Sequence, residues 1–137
     1  MHKHECLCID LRTAANTITS LYDDAIREAG VSATQFNQIQ LIRSLNGPTL
    51  KQLAQASHLD RSTLGRNVRV LENLGLLTME AGADARTKTL HLTRKGRETF
   101  RRAARLWSAV QTKLSDRLGA DGRHQLDRLL AALTDPL

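Results

Sequence analysis

Apolar residues recur along most of this chain at the spacing of an α-helix. From about Cys8 to Glu28 they fall at Leu11, Ala14, Ala15, Ile18, Leu21, Tyr22, Ala25 and Ile26, a stripe of helical period that Gly30 ends. Ser32-Ala-Thr-Gln35 has the form of a capping box, in which the serine hydroxyl covers one free N–H and the glutamine reaches back to another. Phe36, Ile39, Ile42 and Leu45 then line one face of a second helix, which Gly47-Pro48 stops. Thr49-Leu-Lys-Gln52 repeats the box and opens a short helix with Leu50, Leu53 and Ala54 inward. After the tight connection Ser57-His58-Leu59, Asp60 caps a helix running to about Asn73, with Leu64, Val68, Leu71 and Leu74 as its buried stripe. Gly75 is a good C-terminal stop.

The period then changes. LLTME and KTLHLT carry β-branched residues and alternation, with Leu90 and Leu92 set against Thr89, His91 and Thr93. AGADART between them is a turn segment, so the pattern predicts a β-hairpin. Thr93 caps a long helix with Phe100, Ala103, Ala104, Trp107, Val110 and Leu114 on one face. GADG breaks it near Gly119, and a last helix carries Leu126, Leu129, Leu130 and Leu133. No repeat, low-complexity tract or linker divides the chain. The predicted fold is mostly α with a small β-hairpin wing, one domain over residues 1–137. About 32–95 form a winged helix-turn-helix. The long helices at about 8–30 and 96–137 carry apolar stripes that so small a core cannot cover, so they are expected to dimerise.

Composition narrows the function. Hydrophobic residues make up 41% of the chain, which excludes a disordered protein, while aromatics are only 3%. The core must therefore be aliphatic. Lys plus Arg outnumber Asp plus Glu by 20 to 14, a net charge of +6 that fits an anionic partner such as double-stranded DNA. No apolar run is long enough to span a bilayer, and the N-terminus lacks a signal-peptide core. A cytoplasmic protein with reduced thiols is expected, with no membrane partner. Catalytic triad order, paired carboxylates, phosphate loop and HExxH motif are all missing. The sequence does not read as an enzyme, and no cofactor is implied.

A helix that reads DNA needs an apolar face to dock and a polar, basic face for the major groove. Opposite the Leu64/Val68/Leu71 stripe lie Ser62, Gly65, Arg66 and Arg69, flanked by Arg61 and Thr63. Arginine grips guanine or phosphate, and serine and threonine reach bases or backbone. Gly65 is a poor helix former, and a position without a side chain there allows close approach to DNA. At the hairpin tip, Arg86 is placed to enter a minor groove, with Asp84 available to hold its guanidinium by a charge-assisted bond.

These residues resemble the MarR family of bacterial regulators. The matching pieces are TLKQLAQASHLDRSTLGRNVRVLENLGLL, the wing motif Asp84-x-Arg86 and LTRKG at Leu92–Gly96. The resemblance covers nearly the whole chain, including the flanking helices. It implies a homodimer that binds a pseudo-palindromic operator, usually to repress, with first and last helices forming the dimer interface. Ala85 departs from the pattern, since the family often has a second basic residue there, which implies a weaker wing grip.

The only two cysteines, Cys6 and Cys8, stand near the N-terminus. They read as small apolar fillers, as a strained disulfide, as soft-metal ligands with His2 and His4, or as a thiol sensor. Cys8 lies three residues before Leu11, so it is expected on the stripe of the first helix and near the positive end of its dipole. Cys6 is expected to precede the helix. CIDLRTAANTITSLY, Cys8–Tyr22, is similar to the first helix of the organic-hydroperoxide-sensing, OhrR-like branch. That resemblance makes Cys8 the reactive cysteine and Tyr22 a tyrosine that hydrogen-bonds it from the partner subunit. Arg12 stands where a second tyrosine is usual. A resolving thiol must be Cys6 or external. Tyr22 is 14 residues from Cys8, about 21 Å along one helix, so it can meet the cysteine only across a two-fold axis. The alternative effectors are a small phenolic or aromatic ligand, or a soft metal ion, bound near the dimer interface. His58, His91 and His124 have no sequence neighbours that build a catalytic site.

Overall fold

Side-chain caps set the start of four helices. The computed structural model describes residues 6–84 and 86–136. Its elements are α1 (Leu7–Ile26), a 3₁₀ turn (Arg27–Ala29), α2 (Ala33–Leu45), α3 (Leu50–Ser57), α4 (Arg61–Asn73), β1 (Leu77–Ala81), β2 (Lys88–Leu92) and α5 (Arg94–Thr134). Both expected capping boxes form. Ser32 Oγ accepts from Gln35 N–H at 3.1 Å while Gln35 Oε1 accepts from Ser32 N–H at 2.9 Å. Thr49 and Gln52 exchange the same pair at 3.2 and 2.9 Å. Asp60 and Thr93 cap α4 and α5. Such caps contribute about 1 kcal/mol each where they replace a free N–H. α1 has no side-chain cap; Cys6 is its extended N-cap residue, as its position before the helix predicted.

The core is aliphatic. Ile26, Ile39, Ile42, Leu53, Leu64, Val68, Leu71, Leu77 and Leu90 are almost fully buried. Three expectations fail. Leu45 is exposed, because it lies nine residues after Phe36, half a turn out of phase at 100° per residue. Leu74 is exposed because it falls ten residues after Leu64, off the stripe, where Gly75 (φ +75°) turns the chain away. Cys8 is exposed rather than part of a buried stripe; Leu11, Ile18 and Leu21 are exposed as well, as expected of a stripe too large for the core to cover. On α1 only Tyr22 and Ile26 are buried, where Trp107 and Gln111 of α5 meet the helix at Tyr22.

The hairpin is antiparallel, with Leu77 opposite Leu92, Met79 opposite Leu90 and Ala81 opposite Lys88. The loop before α3 joins its edge, as Leu90 N–H donates to the Pro48 carbonyl at 2.8 Å. The hairpin then returns to the end of α4. Thr93 Oγ1 donates to the Gly75 carbonyl at 2.6 Å, and Lys95 Nζ to the Leu74 carbonyl at 2.8 Å. Gly96 packs so closely that a Cβ there would lie 2.0 Å from the Leu76 carbonyl oxygen. Leu92–Gly96, the LTRKG stretch, thus fastens the start of α5 to the C-terminal end of α4.

The chain's four aromatic residues gather at one joint. Tyr22 of α1 lies on Trp107 of α5 with centroids 4.0 Å apart. Phe36 of α2 touches Trp107 at 4.7 Å and stacks on Phe100 at 5.5 Å. Far along α5, Gly119 (φ +71°, ψ 169°) breaks the helix as the sequence predicted. Beyond it Leu126, Leu129, Leu130 and Leu133 are exposed. Among the described residues no helix is long and apolar enough to cross a membrane.

Candidate nucleic-acid interface

The physical centre of the site is the start of α4. Asp60 is extended (φ −69°, ψ 159°) and its Oδ1 accepts from Thr63 N–H at 2.7 Å. The same oxygen accepts from the Ser62 hydroxyl at 2.7 Å, and Oδ2 accepts from the Thr63 hydroxyl at 2.9 Å. These bonds hold the Asp60 carboxyl down to about 2; the Thr63 N–H contributes most, then the two hydroxyls, with a smaller pull from Arg66. Asp60 is therefore an anion, and its only role toward the hydroxyls is acceptor.

With Leu64, Val68 and Leu71 buried, the helical period sends Ser62, Arg66 and Arg69 outward together. All three are exposed. Arg66 Nη2 lies 3.4 Å from Thr63 Oγ1, as a long hydrogen bond. Thr63 and Gly65 are half-buried. A Cβ at Gly65 would meet nothing within 4 Å, so no contact inside the chain requires glycine there. Asn73 shares the outward face and is exposed; the sequence reading omitted it.

Arg61 points elsewhere. With Arg86 of the wing it lines a groove of about 740 Å³ between α3 and the hairpin, together with Lys51, Gln52, Gln55 and Lys88. Four cations converge on this groove, and no carboxylate is among its described lining residues. Sequence reasoning missed Lys51 and Lys88. One signal was present: Lys51 and Arg61 occupy the first turns of α3 and α4, where the helix dipole favours acids. Cations there gain nothing from the helix dipole.

At the wing tip, Asp84 Oδ1 accepts from the Arg86 backbone N–H at 3.1 Å. The expected bond to the Arg86 guanidinium does not form. A carboxylate two residues before an N–H closes an Asx turn, which orders the backbone and leaves the guanidinium to the groove. Ala85 lies outside the described residues.

The cysteines sit far along the chain from this surface. Cys6 and Cys8 are free and exposed, so Cys8 does not join a buried stripe within one chain. Tyr22 is buried and its hydroxyl donates to Gln111 Oε1. His2 and His4 lie outside the described residues, and among the described ones no three His, Cys, Asp or Glu side chains are grouped to hold a metal. His58 ends α3 in the left-handed region (φ +57°). His91 Nε2 sits 2.8 Å from Thr89 Oγ1 and 3.6 Å from Glu80 Oε2. His124 is exposed.

No protein-family model matches the chain, nor does any curated protein. Solved structures do. The transcriptional regulator MosR of M. tuberculosis, in complex with DNA, is 38% identical with a TM-score of 0.80, over 97% of this chain and all of that one (100%). The transcriptional repressor CouR, bound to a 23-mer DNA duplex, is 26% identical with a TM-score of 0.86, over 94% of this chain and 92% of that one. A mutant of MarR from E. coli, complexed with operator DNA, shares the fold with a TM-score of 0.87 at 21% identity, over 93% of each chain. These neighbours are transcriptional regulators, not enzymes.

Proposed function

This chain belongs to the MarR family of winged helix-turn-helix transcriptional regulators, and from that premise we propose that it is a homodimeric repressor of a pseudo-palindromic operator, released when Cys8 is oxidised. The observation that carries the DNA reading is the joint display of Ser62, Arg66 and Arg69 beside a groove of four cations. In this reading α4 enters the major groove, Lys51 and Arg61 hold phosphates, and Arg86 and Lys88 grip the backbone beside the wing. Gly65 lets the helix approach closely. The exposed rows Leu7, Leu11, Ile18 and Leu21 on α1, and Leu126, Leu129, Leu130 and Leu133 after Gly119, are the two-fold interface. Helices at about 8–30 and 96–137 form it, and about 32–95 read DNA.

Exposure of Cys8 at the start of α1 supports the sensing step. Its sulfur attacks a hydroperoxide oxygen, the O–O bond breaks, and an alcohol leaves with the sulfenic acid formed on Cys8. Condensation with Cys6 or an external thiol then gives a disulfide and water. In one chain the Tyr22 hydroxyl donates to Gln111 Oε1, so serving the thiolate of Cys8 of the partner subunit requires that hydroxyl to turn from Gln111 and donate to the sulfur. The test is operator binding before and after an organic hydroperoxide, with thiol mass spectrometry. Cys8→Ser is expected to bind DNA and ignore the oxidant. Release of the Cys8→Ser protein by oxidant overturns the sensing step.

A second reading has its own support. A cavity of about 270 Å³ lies between α1 and α5, lined by Ile18, Tyr22, Leu114 and Leu118, with Arg117 and Arg123 also in its lining. Apolar walls with two cations suit a small aromatic acid. Under this reading, such acids raise the melting temperature and release DNA from the Cys8→Ser protein.

A further inference from the structure

We propose that Ser62 reads one base pair of each half-site as a hydrogen-bond acceptor only, and so selects adenine or cytosine over guanine or thymine on the strand it faces. The inference rests on the major-groove reading of α4 given above and extends it to a chemical rule. A serine hydroxyl has one proton and two lone pairs. In this structure that proton is committed, since Ser62 Oγ donates to Asp60 Oδ1 at 2.7 Å. Asp60 holds it firmly, because the carboxylate is itself anchored as the cap of α4 by Thr63 N–H. Low proton affinity keeps Asp60 ionised at any pH where DNA is duplex. The carboxylate has no proton to return, so Ser62 faces outward with lone pairs alone.

That restriction decides what the residue recognises. Phosphate oxygens are acceptors, as are guanine N7 and O6, adenine N7 and thymine O4. None can bond an oxygen whose proton is spent. The donors exposed in the major groove are the adenine N6 and cytosine N4 amino groups. Every base pair carries one of these, A·T on the adenine strand and G·C on the cytosine strand. Ser62 therefore does not separate A·T from G·C; it reads which strand carries the amino group. Thr63 is similarly committed, its hydroxyl donating to Asp60 Oδ2 at 2.9 Å and accepting from Arg66 at 3.4 Å. It is half-buried, so the exposed Ser62 is the reader and Asp60 is the positioning residue behind it.

The experiment is selection from a randomised duplex pool, with sequencing of bound DNA, for the full-length wild type, Ser62→Ala and Asp60→Gly. Glycine is an acceptable N-cap, and it frees both hydroxyl protons; circular dichroism melts establish that each variant is folded. Wild type is expected to show one position per half-site where A and C are both accepted and G and T are disfavoured by about tenfold, the size of one hydrogen bond. Ser62→Ala should flatten that position and no other. Asp60→Gly should let G and T in at the same position, because the hydroxyl then donates as well as accepts. An enriched site whose base preferences are untouched by Ser62→Ala overturns the inference and leaves the DNA reading standing, as does a Ser62-dependent position that prefers G or T. Should wild type enrich no sequence at all, the operator reading fails and the inference with it.

Discussion

Replacing Gly65 by alanine is expected to make the protein more stable and a worse DNA binder. Gly65 is in the interior of α4, where glycine costs about 0.8–1.0 kcal/mol relative to alanine. Nothing lies within 4 Å of the position a Cβ would take, so the methyl meets no clash and buries against no neighbour. The full propensity gain is therefore kept, and the melting temperature should rise by a few degrees. DNA binding responds in the opposite direction if the duplex backs directly onto this position. A methyl stands about 1.5 Å off the backbone, and backing α4 off by that distance stretches hydrogen bonds of ~2.9 Å beyond bonding range. Losing even one or two costs ~1–2 kcal/mol, or about tenfold or more in affinity. Thermal melts and fluorescence anisotropy with an operator duplex, on the same preparations, read both signs. A stabilised variant with unchanged affinity refutes the close approach; a destabilised one refutes the account of α4.

Gly96→Ala forces a methyl against the Leu76 carbonyl, so it should cost at least the ~1–3 kcal/mol of overpacking, and lower the melting temperature and operator affinity together; a melt like wild type would show the contact to be soft. The depressed Asp60 carboxyl makes capping of α4 pH-dependent. Its folded value, about 2, lies below the ordinary 3.8, so its contribution is whole above about pH 4 and is lost as pH falls through 2. Asp60→Asn keeps a cap without the titration, and melts across that window should show a shallower acid decline; identical declines count against it. Lys51→Ala and Lys88→Ala should each reduce the slope of log K against log salt by about 1, and an unchanged slope removes that lysine from the interface.

The helices and hairpin were legible because each is signalled locally. Ser32, Thr49, Asp60 and Thr93 cap within three residues of themselves, and the Leu64/Val68/Leu71 stripe has no competing period. Leu45 and Leu74 were misplaced because a stripe was extended to a helix end after its phase had drifted. The site was only partly legible. The outward face of α4 follows from its own period, whereas the groove is made by four separate elements. Lys51 and Lys88 are 37 positions apart in the chain and line one groove because the segment before α3 pairs with β2, at Pro48 with Leu90 and at Thr49 with Thr89. At Asp84 two groups of Arg86 compete for one carboxylate, and the Arg86 backbone N–H, closing an Asx turn, holds it instead of the guanidinium. The exposure of Cys8 and Leu11 is likewise non-local, for a stripe states that a face is apolar and not what covers it.

One element touches both ends of the proposed switch. The start of α5 is fixed to the recognition helix by Lys95 on the Leu74 carbonyl and by Gly96 against Leu76. Further along, Trp107 and Gln111 hold Tyr22 of α1, and Gln111 lies sixteen residues after Lys95, a span of about 24 Å at 1.5 Å per residue. Phe36 wedges between Phe100 and Trp107, so α2 follows the same helix. The joint is close-packed, and such joints repack rather than deform smoothly. In the proposed switch, a displacement of α1 by chemistry at Cys8 would reach α4 by tilting α5. A tilt of about 5° over that span moves its far end by roughly 2 Å, enough to break hydrogen bonds of ordinary length. In a two-fold dimer both recognition helices shift at once against half-sites about 34 Å apart. Under the proposed switch, small motion at a thiol would be enough for release, with no unfolding of the winged core.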